Sequence, residues 1–424
     1  MLNQDLFKQN RNKFFKKMSA GGLALFHSND QMPTNADGLM PFCQNNDLFY
    51  LTGIDQEESS LIIFHDLKKN IYKEILFIKK TNDLIKVWEG HKLTKEEARE
   101  KSGIESVIWN DEFDRILNNF IMEASCIYIN TNEHPRAKVV VETRNARLNK
   151  KLIIKHPDKQ FKKSANILHQ IRSVKEKQEL SCIKKACDIT KRGFDRILKF
   201  IKPGIFEYNI QAELIHEFIN NNSKGFAYEP IIASGKNACI LHYTDNNKLL
   251  NSGDLILMDF GAEFNNYASD LTRCIPVNGR FTDRQKKVYN SVLRVMNEAK
   301  KLLTPGVYLS EYEKNVGLLM EKELVKLNLL SMNEIRKNSN IPAYKKYFMH
   351  GTSHHLGLDV HDVSDAQQPI SEGMVFTCEP GIYIPEEGLG VRLENDVFIT
   401  KSGTQDLMEN IIIEAEEIEE VMNN

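Results

Sequence analysis

The sequence contains no long apolar run. Segments such as LALF, SLIIF and LILMDF are far shorter than the roughly 18 consecutive apolar residues that a membrane-spanning helix needs. The first residues, MLNQDLFKQNRNKFFKKMS, also lack an apolar stretch followed by a small-residue cleavage site, so they do not resemble a secretory signal. We therefore expect a cytoplasmic protein with no membrane partner.

An excess of charge of either sign is also missing. The 56 basic and 58 acidic residues leave a net charge of −2 at pH 7, which argues against nucleic acid as a partner. The seven cysteines include no CxxC pair and are odd in number. In a chain without an export signal, this usage indicates reduced core residues rather than a disulfide framework.

The length of 424 residues predicts two or three domains. Strand-like runs such as GLALFH and EILFIKK alternate with charged helical stretches in the first part of the chain, which indicates a mixed α/β domain. The polar segment KHPDKQFKKS is typical of a connector, and a long amphipathic helix that ends at KPG follows it. We predict an α/β (α+β) protein with domains over residues 1–165 and 166–424.

An internal repeat organises the second predicted domain. Each copy contains a Pro-Gly between two amphipathic helices, then a histidine, a turn glycine, an apolar strand, an acid, and a glycine two residues after the acid. The matched residues are Pro203-Gly204 and Pro305-Gly306, His242 and His361, Gly253 and Gly373, Asp259 and Glu379, and Gly261 and Gly381. Two such helix-plus-hairpin units predict packing about a pseudo-twofold axis.

Each hairpin of this repeat is expected to carry two carboxylates on otherwise apolar strands. The acids are Asp259 and Asp270 in the first copy, and Glu379 and Glu394 in the second. Burying a charge is unfavourable unless it is paired or binds a metal. Carboxylates with an imidazole suit Mn²⁺, Fe²⁺, Co²⁺ or Zn²⁺, and four acids are enough for two ions about 3.5–4 Å apart. Such a centre delivers hydroxide to a carbonyl, which indicates a hydrolase.

Histidine is scarce in the chain, with twelve residues in all, yet four of them fall within HGTSHHLGLDVHD, from His350 to Asp362. This block, together with LHYTDN, LMDFGAEFNNYASDLTR, CEPGIYI and GVRLENDVFIT, resembles the successive signature blocks of the metal-dependent pita-bread peptidases. That family includes methionine aminopeptidase, prolidase and aminopeptidase P. PFCQNNDLFYLTGI resembles the N-terminal domain of the aminopeptidase P and prolidase branch, so the resemblance covers most of the chain.

The resemblance implies a pseudo-twofold pita-bread catalytic domain with two divalent ions, most often Mn²⁺, with Co²⁺, Fe²⁺ or Zn²⁺ as alternatives. It implies that Asp270 and Glu394 bridge the ions and that His361 stabilises the intermediate or moves protons. It also implies a homo-oligomer, either a dimer or a tetramer. The implied metal ligands are Asp259, Asp270, His354, Glu379 and Glu394, and the implied substrate-binding residues are His242, His350 and Arg392.

Four further residues receive a plainer interpretation. We expect His355 only to pack or to reach solvent. Tyr228 could face the pocket, but its position beside an apolar run favours the core. Cys43 stands where relatives commonly have arginine, so the sequence gives no role for it. Trp88 could lie at the rim of the site, next to a neighbouring subunit, but the sequence does not decide this.

The predicted function is release of the N-terminal residue from peptides with proline at the second position, by attack of a hydroxide that bridges two metal ions. The main alternative is a prolidase, which is restricted to Xaa-Pro dipeptides and needs a cation for the substrate carboxylate. A non-catalytic peptide-binding relative and metal-free creatinase-like hydrolysis are further alternatives. Both predict replaced ligands, and none is replaced here.

Overall fold

The computed structural model describes residues 2–336, 341–365 and 367–424. The chain divides into two compact units, Met1–Arg172 and Ser173–Asn424. Among the residues described, no helix combines the length and the apolar character that crossing a bilayer requires. Of the cysteines, five are buried as predicted, whereas Cys43 is exposed and Cys239 is partly exposed.

A six-stranded sheet forms the centre of the first unit. Its order is β4-β3-β2-β1-β5-β6, and β2 runs antiparallel to the other five strands. The predicted mixed α/β character is therefore confirmed. The strands are β1 (Gly22–His27), β2 (Ser60–Asp66), β3 (Ile71–Ile78), β4 (Val107–Trp109), β5 (Cys126–Ile129) and β6 (Gln160–Lys163).

The edge strand β6 corrects one prediction, because it lies inside the segment KHPDKQFKKS that we expected to be a connector. An edge strand is often kept polar, which limits pairing with other chains, so it carries little of the apolar alternation that identifies a strand. The side chains of β6 are exposed or only partly buried. The chain therefore adds a last strand to the sheet where its composition suggested a loop.

Seven helices pack in the first unit. In the fifth, Phe113, Leu117 and Ile121 are buried at a spacing of four residues and join the apolar core against the sheet. A Thr94–Glu97 capping box begins the fourth helix. The helices are α1 (Gln4–Lys17), α2 (Asn46–Thr52), α3 (Asp83–Glu89), α4 (Lys95–Ser102), α5 (Phe113–Glu123), α6 (Arg144–Lys155) and α7 (Ala165–Ser173).

Four long helices of the second unit form two pairs. The two Pro-Gly motifs lie between the members of a pair, and Gly204 and Gly306 have φ of 89° and 94°, a backbone conformation that favours glycine. The predicted helix ends are confirmed. The helices are α8 (Lys177–Phe200), α9 (Glu207–Asn220), α10 (Asp283–Leu302), α11 (Leu309–Lys326), α12 (Met332–Arg336) and α13 (Ala415–Asn423). Helix α8 pairs with α9, and α10 pairs with α11.

Each pair of helices precedes a three-stranded antiparallel sheet, ordered β7-β8-β11 in the first copy and β12-β15-β16 in the second. A small hairpin is inserted at the same point of each copy, as β9-β10 and β13-β14. The strands are β7 (Ile231–Ser234), β8 (Leu255–Phe260), β9 (Glu263–Phe264), β10 (Tyr267–Ala268), β11 (Leu271–Pro276), β12 (Val375–Cys378), β13 (Gly381–Ile384), β14 (Leu389–Arg392), β15 (Asn395–Thr400) and β16 (Gly403–Asp406).

The sequence predicts that all four acids of the repeat lie on strands. Only one of them does. Asp259 belongs to β8, whereas Asp270, Glu379 and Glu394 lie next to the ends of β11, β12 and β15. The reason is the inserted hairpin, which takes the chain out of the sheet at these points. Gly261 permits that exit, because a Cβ there would lie 1.8 Å from the carbonyl oxygen of Ser269.

Candidate metal centre

The acidic ends of the two sheets meet in the second unit. Asp270, His354 and Glu394 each offer a ligand atom, and these three atoms lie within 4.8 Å of one another. His354 Nε2 is 3.5 Å from Asp270 Oδ2 and 3.5 Å from Glu379 Oε1. The fifth predicted ligand, Asp259, shares a hydrogen-bond donor with Asp270. The structure thus brings all five predicted ligands together.

Hydrogen bonds between the two copies hold this arrangement. Thr272, on β11, donates its hydroxyl to Glu394 Oε2 (2.6 Å), and its carbonyl accepts from the Glu394 backbone N–H (3.1 Å). The backbone N–H of Asp270 donates to Asp396 Oδ2 (3.0 Å). Glu394 and Asp270 are therefore each positioned by a residue of the other copy.

His354 presents its Nε2 to the acids. Its Nδ1 lies 3.0 Å from the carbonyl oxygen of His355, and a carbonyl can only accept a hydrogen bond. Nδ1 therefore carries the proton, and the lone pair of the neutral ring is on Nε2. A ring N–H donated to a backbone carbonyl is the usual support of a metal-bound histidine, because it fixes the tautomer and the ring orientation.

The cluster of carboxylates fits a divalent cation. Glu394 is 1% exposed, and its Oε1 has no hydrogen-bond partner among the described residues. Burial, followed by the neighbouring acids, raises the pKa of Asp270 and Glu394 well above the usual range. The pKa of Glu379 is raised to about 7, mainly by burial. Oxygen donors with one imidazole and no thiolate suit Mn²⁺, Fe²⁺, Co²⁺ or Zn²⁺.

A chain of hydrogen bonds runs from Asp259 to the predicted substrate side. Arg392 Nη2 contacts Asp259 Oδ2 (2.5 Å), and its Nη1 donates to the Tyr383 hydroxyl (2.9 Å). His350 Nδ1 lies 2.7 Å from the Gly351 carbonyl, so the Tyr383 hydroxyl donates to His350 Nε2 (2.7 Å). Burial and the nearby Arg392 lower the pKa of His350 to about 3, which keeps its ring neutral. Both ring nitrogens of His350 thus have partners within the protein.

The family model described as "Metallopeptidase family M24" matches residues 181–401, which is more than half of the chain. The chain belongs to metallopeptidase family M24. A second model, "Aminopeptidase P, N-terminal domain", matches residues 7–128. All five predicted metal ligands lie within residues 181–401, the part of the chain that the M24 model matches.

Individual M24 relatives are similar over the whole chain. The Escherichia coli K12 protein named Xaa-Pro aminopeptidase is 32% identical, with 99% of this chain and 98% of the relative covered. A solved Yersinia pestis structure, named proline aminopeptidase P II, has a TM-score of 0.89 at 31% identity and covers all of both chains. A zinc-substituted E. coli aminopeptidase P in complex with product has a TM-score of 0.89 at 30% identity, covering 100% of this chain and 98% of that one. The predicted pita-bread catalytic domain is confirmed.

Tyr228 corrects the prediction of a core residue. Its hydroxyl contacts Asp259 Oδ1 (2.6 Å) and Asp270 Oδ1 (2.5 Å), two predicted ligands of this M24 centre. Burial, followed by these two carboxylates, raises the pKa of the phenol well above its usual value, so the hydroxyl remains a donor.

Glu313, on α11, is a second residue of the M24 domain that the sequence did not suggest. Its carboxylate accepts from the backbone N–H groups of Thr352 (2.9 Å) and Ser353 (3.1 Å), immediately before the predicted ligand His354. Burial raises the pKa of Glu313 despite these bonds. The helix therefore fixes the start of the histidine-rich loop.

The remaining predicted residues differ in how closely they approach the M24 centre. The ring of His361 lies 4.0 Å from that of His354, measured between centroids. His242 is exposed, and it is near enough to His350 to contribute to the lowered pKa of that residue. His355 packs on Phe376 at 4.2 Å, as predicted. Trp88 lies on α3 of the first unit and is 81% exposed.

Proposed function

We propose that this M24 peptidase releases the N-terminal residue from peptides whose second residue is proline. The observation that carries the proposal is the group of four carboxylates and His354, of which Asp270 and Glu394 are buried and the others partly buried, in a chain that aligns over 99% of its length with a Xaa-Pro aminopeptidase. An Xaa-Pro bond has no amide hydrogen, and the proline ring restricts the backbone. Proteases that bind an extended, hydrogen-bonded strand therefore cleave it poorly, and a dedicated site is needed.

Five residues would hold the metal. Two ions are proposed because the oxygen and nitrogen donors exceed what one ion requires, and Mn²⁺ is the metal that the resemblance implies. When bound, the metal would polarise the scissile carbonyl and lower the pKa of a water molecule. The proposed ligands are Asp259, Asp270, His354, Glu379 and Glu394.

Side chains around the ligands orient the substrate and move protons. The proline nitrogen must gain a proton when the Xaa–Pro bond breaks, and His361 is proposed to supply it or to stabilise the intermediate, because its ring lies 4.0 Å from the ring of the ligand His354. His242 and His350 are proposed to line the substrate side. Arg392, which the resemblance implies to be a substrate-binding residue, is 4% exposed and contacts Asp259, so we propose instead that it holds this ligand in place.

The site is proposed to remain open beyond the proline ring. Between Glu379 and Glu394 the chain forms only the tight hairpin β13-β14, whose turn is Pro385–Gly388, so little chain is present there to build a lid. A prolidase must close that end with a cation that pairs with the substrate carboxylate. Longer peptides would then bury an amide where a charge is expected, at a loss of several kcal/mol.

A paired kinetic assay tests this proposal. With the N-terminal residue held constant, we expect kcat/KM for Xaa-Pro-Yaa to be at least as high as that for Xaa-Pro. A preference of about a hundredfold or more for the dipeptide, about 2.7 kcal/mol, would indicate a prolidase instead. Homo-oligomerisation and a cytoplasmic location remain predictions from the sequence.

A further inference from the structure

A cleft in the first unit is lined by residues at the carboxyl ends of β1 and β4. The sheet continues from β1 through β2 and β3 to β4 on one side, and through β5 to β6 on the other, so the strand order reverses beside β1. Open α/β sheets bind ligands outside the carboxyl ends of their strands at such points. The cleft has a volume of about 350 Å³ and is lined by His27, Asn110, Asp111, Phe113, Asp114, Arg144 and Leu148.

Arg144 supplies the positive charge of this cleft. It is the first residue of α6, and its guanidinium donates to Ser28 Oγ (3.1 Å). No carboxylate among the described residues forms an ion pair with it, and Glu58 and Asp30 act on its charge only from a longer distance. A guanidinium without a direct anionic partner, at the N-terminal end of a helix where the dipole favours negative charge, is suited to a carboxylate.

His27 adds a buried polar atom. The ring is 3% exposed, its Nδ1 lies 2.7 Å from Ser60 Oγ, and its Nε2 has no hydrogen-bond partner in the described part of the chain. Burial and the nearby Arg144 lower the pKa of His27 to about 3, so the ring is neutral. The cleft therefore contains a neutral imidazole nitrogen beside an arginine that carries the charge.

Two carboxylates and two apolar side chains complete the lining. Asp111 pairs with Lys80 at 2.9 Å, whereas Asp114 is 3.9 Å from Lys151 and 74% exposed. Asp114 is therefore the carboxylate that is more open to a cationic group. Phe113 and Leu148 supply apolar surface in the same cleft. A ligand that carries only one charge would leave either the Arg144 guanidinium or the Asp114 carboxylate without a partner of opposite charge.

We propose that this cleft binds a free α-amino acid with an apolar side chain. Its carboxylate would lie on the Arg144 guanidinium, its ammonium group on Asp114, and its side chain against Phe113 and Leu148. The volume is at the low end of the about 300–1,000 Å³ of small-molecule sites, which fits one amino acid better than a peptide. The proposal does not depend on the peptidase function, because every residue it uses belongs to the first unit.

Isothermal titration of the full, manganese-loaded chain with L-leucine tests the ligand class. In parallel titrations, 4-methylpentanoate lacks the ammonium group, isopentylamine lacks the carboxylate, and inorganic phosphate is a plain anion. We expect leucine to bind and each of the other three to bind at least about tenfold more weakly, because each loses one charge-assisted contact. No binding of leucine, or tighter binding of 4-methylpentanoate or phosphate, would overturn the proposal.

Variants then locate the site. Arg144→Met and Asp114→Asn should each weaken leucine binding about tenfold or more. Arg115→Met is the matched control, because it removes a 70% exposed guanidinium on the same helix as Asp114 but outside the cleft, and its binding should be unchanged. His354→Ala should also leave leucine binding intact. Loss of binding in His354→Ala, or unchanged binding in Asp114→Asn, would place leucine elsewhere.

Discussion

The second unit contains two groups of charged side chains that are largely shielded from solvent. In one group the acid and the base match one to one, whereas in the other the acids outnumber the bases. Lys175 Nζ and Asp362 Oδ2 lie 2.7 Å apart, with side chains only 1% and 2% exposed. The carboxylate cluster is defined by Asp259, Asp270, Glu379 and Glu394. Arg392 is the only guanidinium that pairs with a member of this cluster among the described residues.

This difference in charge balance indicates a structural role for one group and a chemical role for the other. An acid that is neutralised by its own base within the chain needs nothing further, and its energy depends on both partners staying buried. Four acids that face one guanidinium keep an excess of negative charge. The pKa values of Asp270, Glu379 and Glu394 are raised as long as no cation joins them. We therefore expect the first group to support the fold, and we propose the second group as the metal site.

The largest expected effect comes from removing the predicted ligand. His354→Ala should lower kcat/KM for an Xaa-Pro-Yaa peptide by about a thousandfold or more, since it removes the one imidazole among the five proposed ligands. Chelation of the wild-type enzyme should do the same until Mn²⁺ or Co²⁺ is added back. The neighbouring His355→Ala is the control and should change the rate by less than about tenfold, or 1.4 kcal/mol. Equal losses in the two folded variants would mean that the ligand is wrongly assigned.

Removing one charge of the Lys175–Asp362 ion pair should lower the stability of the folded protein. Lys175→Met leaves the buried Asp362 carboxylate without the Lys175 ammonium, which typically costs about 3–5 kcal/mol, and the loss should appear as a lower thermal midpoint of the metal-loaded enzyme. The double variant Lys175→Met/Asp362→Leu removes both charges and should recover part of the loss. A double variant that is less stable than Lys175→Met would contradict the account of a self-neutralised pair.

Tyr228→Phe should have a smaller effect, on the metal affinity of the carboxylate cluster. The variant removes one hydroxyl that contacts both Asp259 and Asp270, and supports of this kind typically change metal affinity by about 10–100-fold. Competition with a metal-binding dye measures the change. Tyr308→Phe, at an exposed position before α11, should leave the affinity unaltered. If both variants bind metal like the wild type, Tyr228 does not support the centre.

The smallest effect expected is a dependence of metal binding on pH. A proton competes with the ion for Glu379, whose pKa is raised to about 7, so affinity should fall as the pH drops below 7. Between pH 8 and pH 6 this group alone weakens binding by about tenfold. Titration calorimetry in buffers of different ionisation enthalpy should also detect proton release on binding. An affinity that rises as the pH falls would contradict the raised pKa.

The sequence is enough to predict those elements and site residues whose signal is local or repeated along the chain. The spacing of apolar residues predicted α8 and α10, and the repeat paired Asp259 with Glu379 before any fold was known. It failed at β6, because a polar edge strand lacks the apolar alternation. It also failed at Tyr228, whose partners lie 31 and 42 positions away in the chain. Contacts of this kind leave no periodic pattern in a single sequence.

The hydrogen bonds between the two copies of the repeat also have a consequence for the order of folding. Thr272 reaches Glu394 across 122 positions, and Asp270 reaches Asp396 across 126. Contacts between distant residues form slowly, because a long loop must close before they add any stability. A nascent chain that ends before β12 has made Asp259 and Asp270 but neither Glu379 nor Glu394. The metal centre can therefore assemble only after almost the whole chain has been synthesised, and ion binding is expected to be among the last steps of maturation.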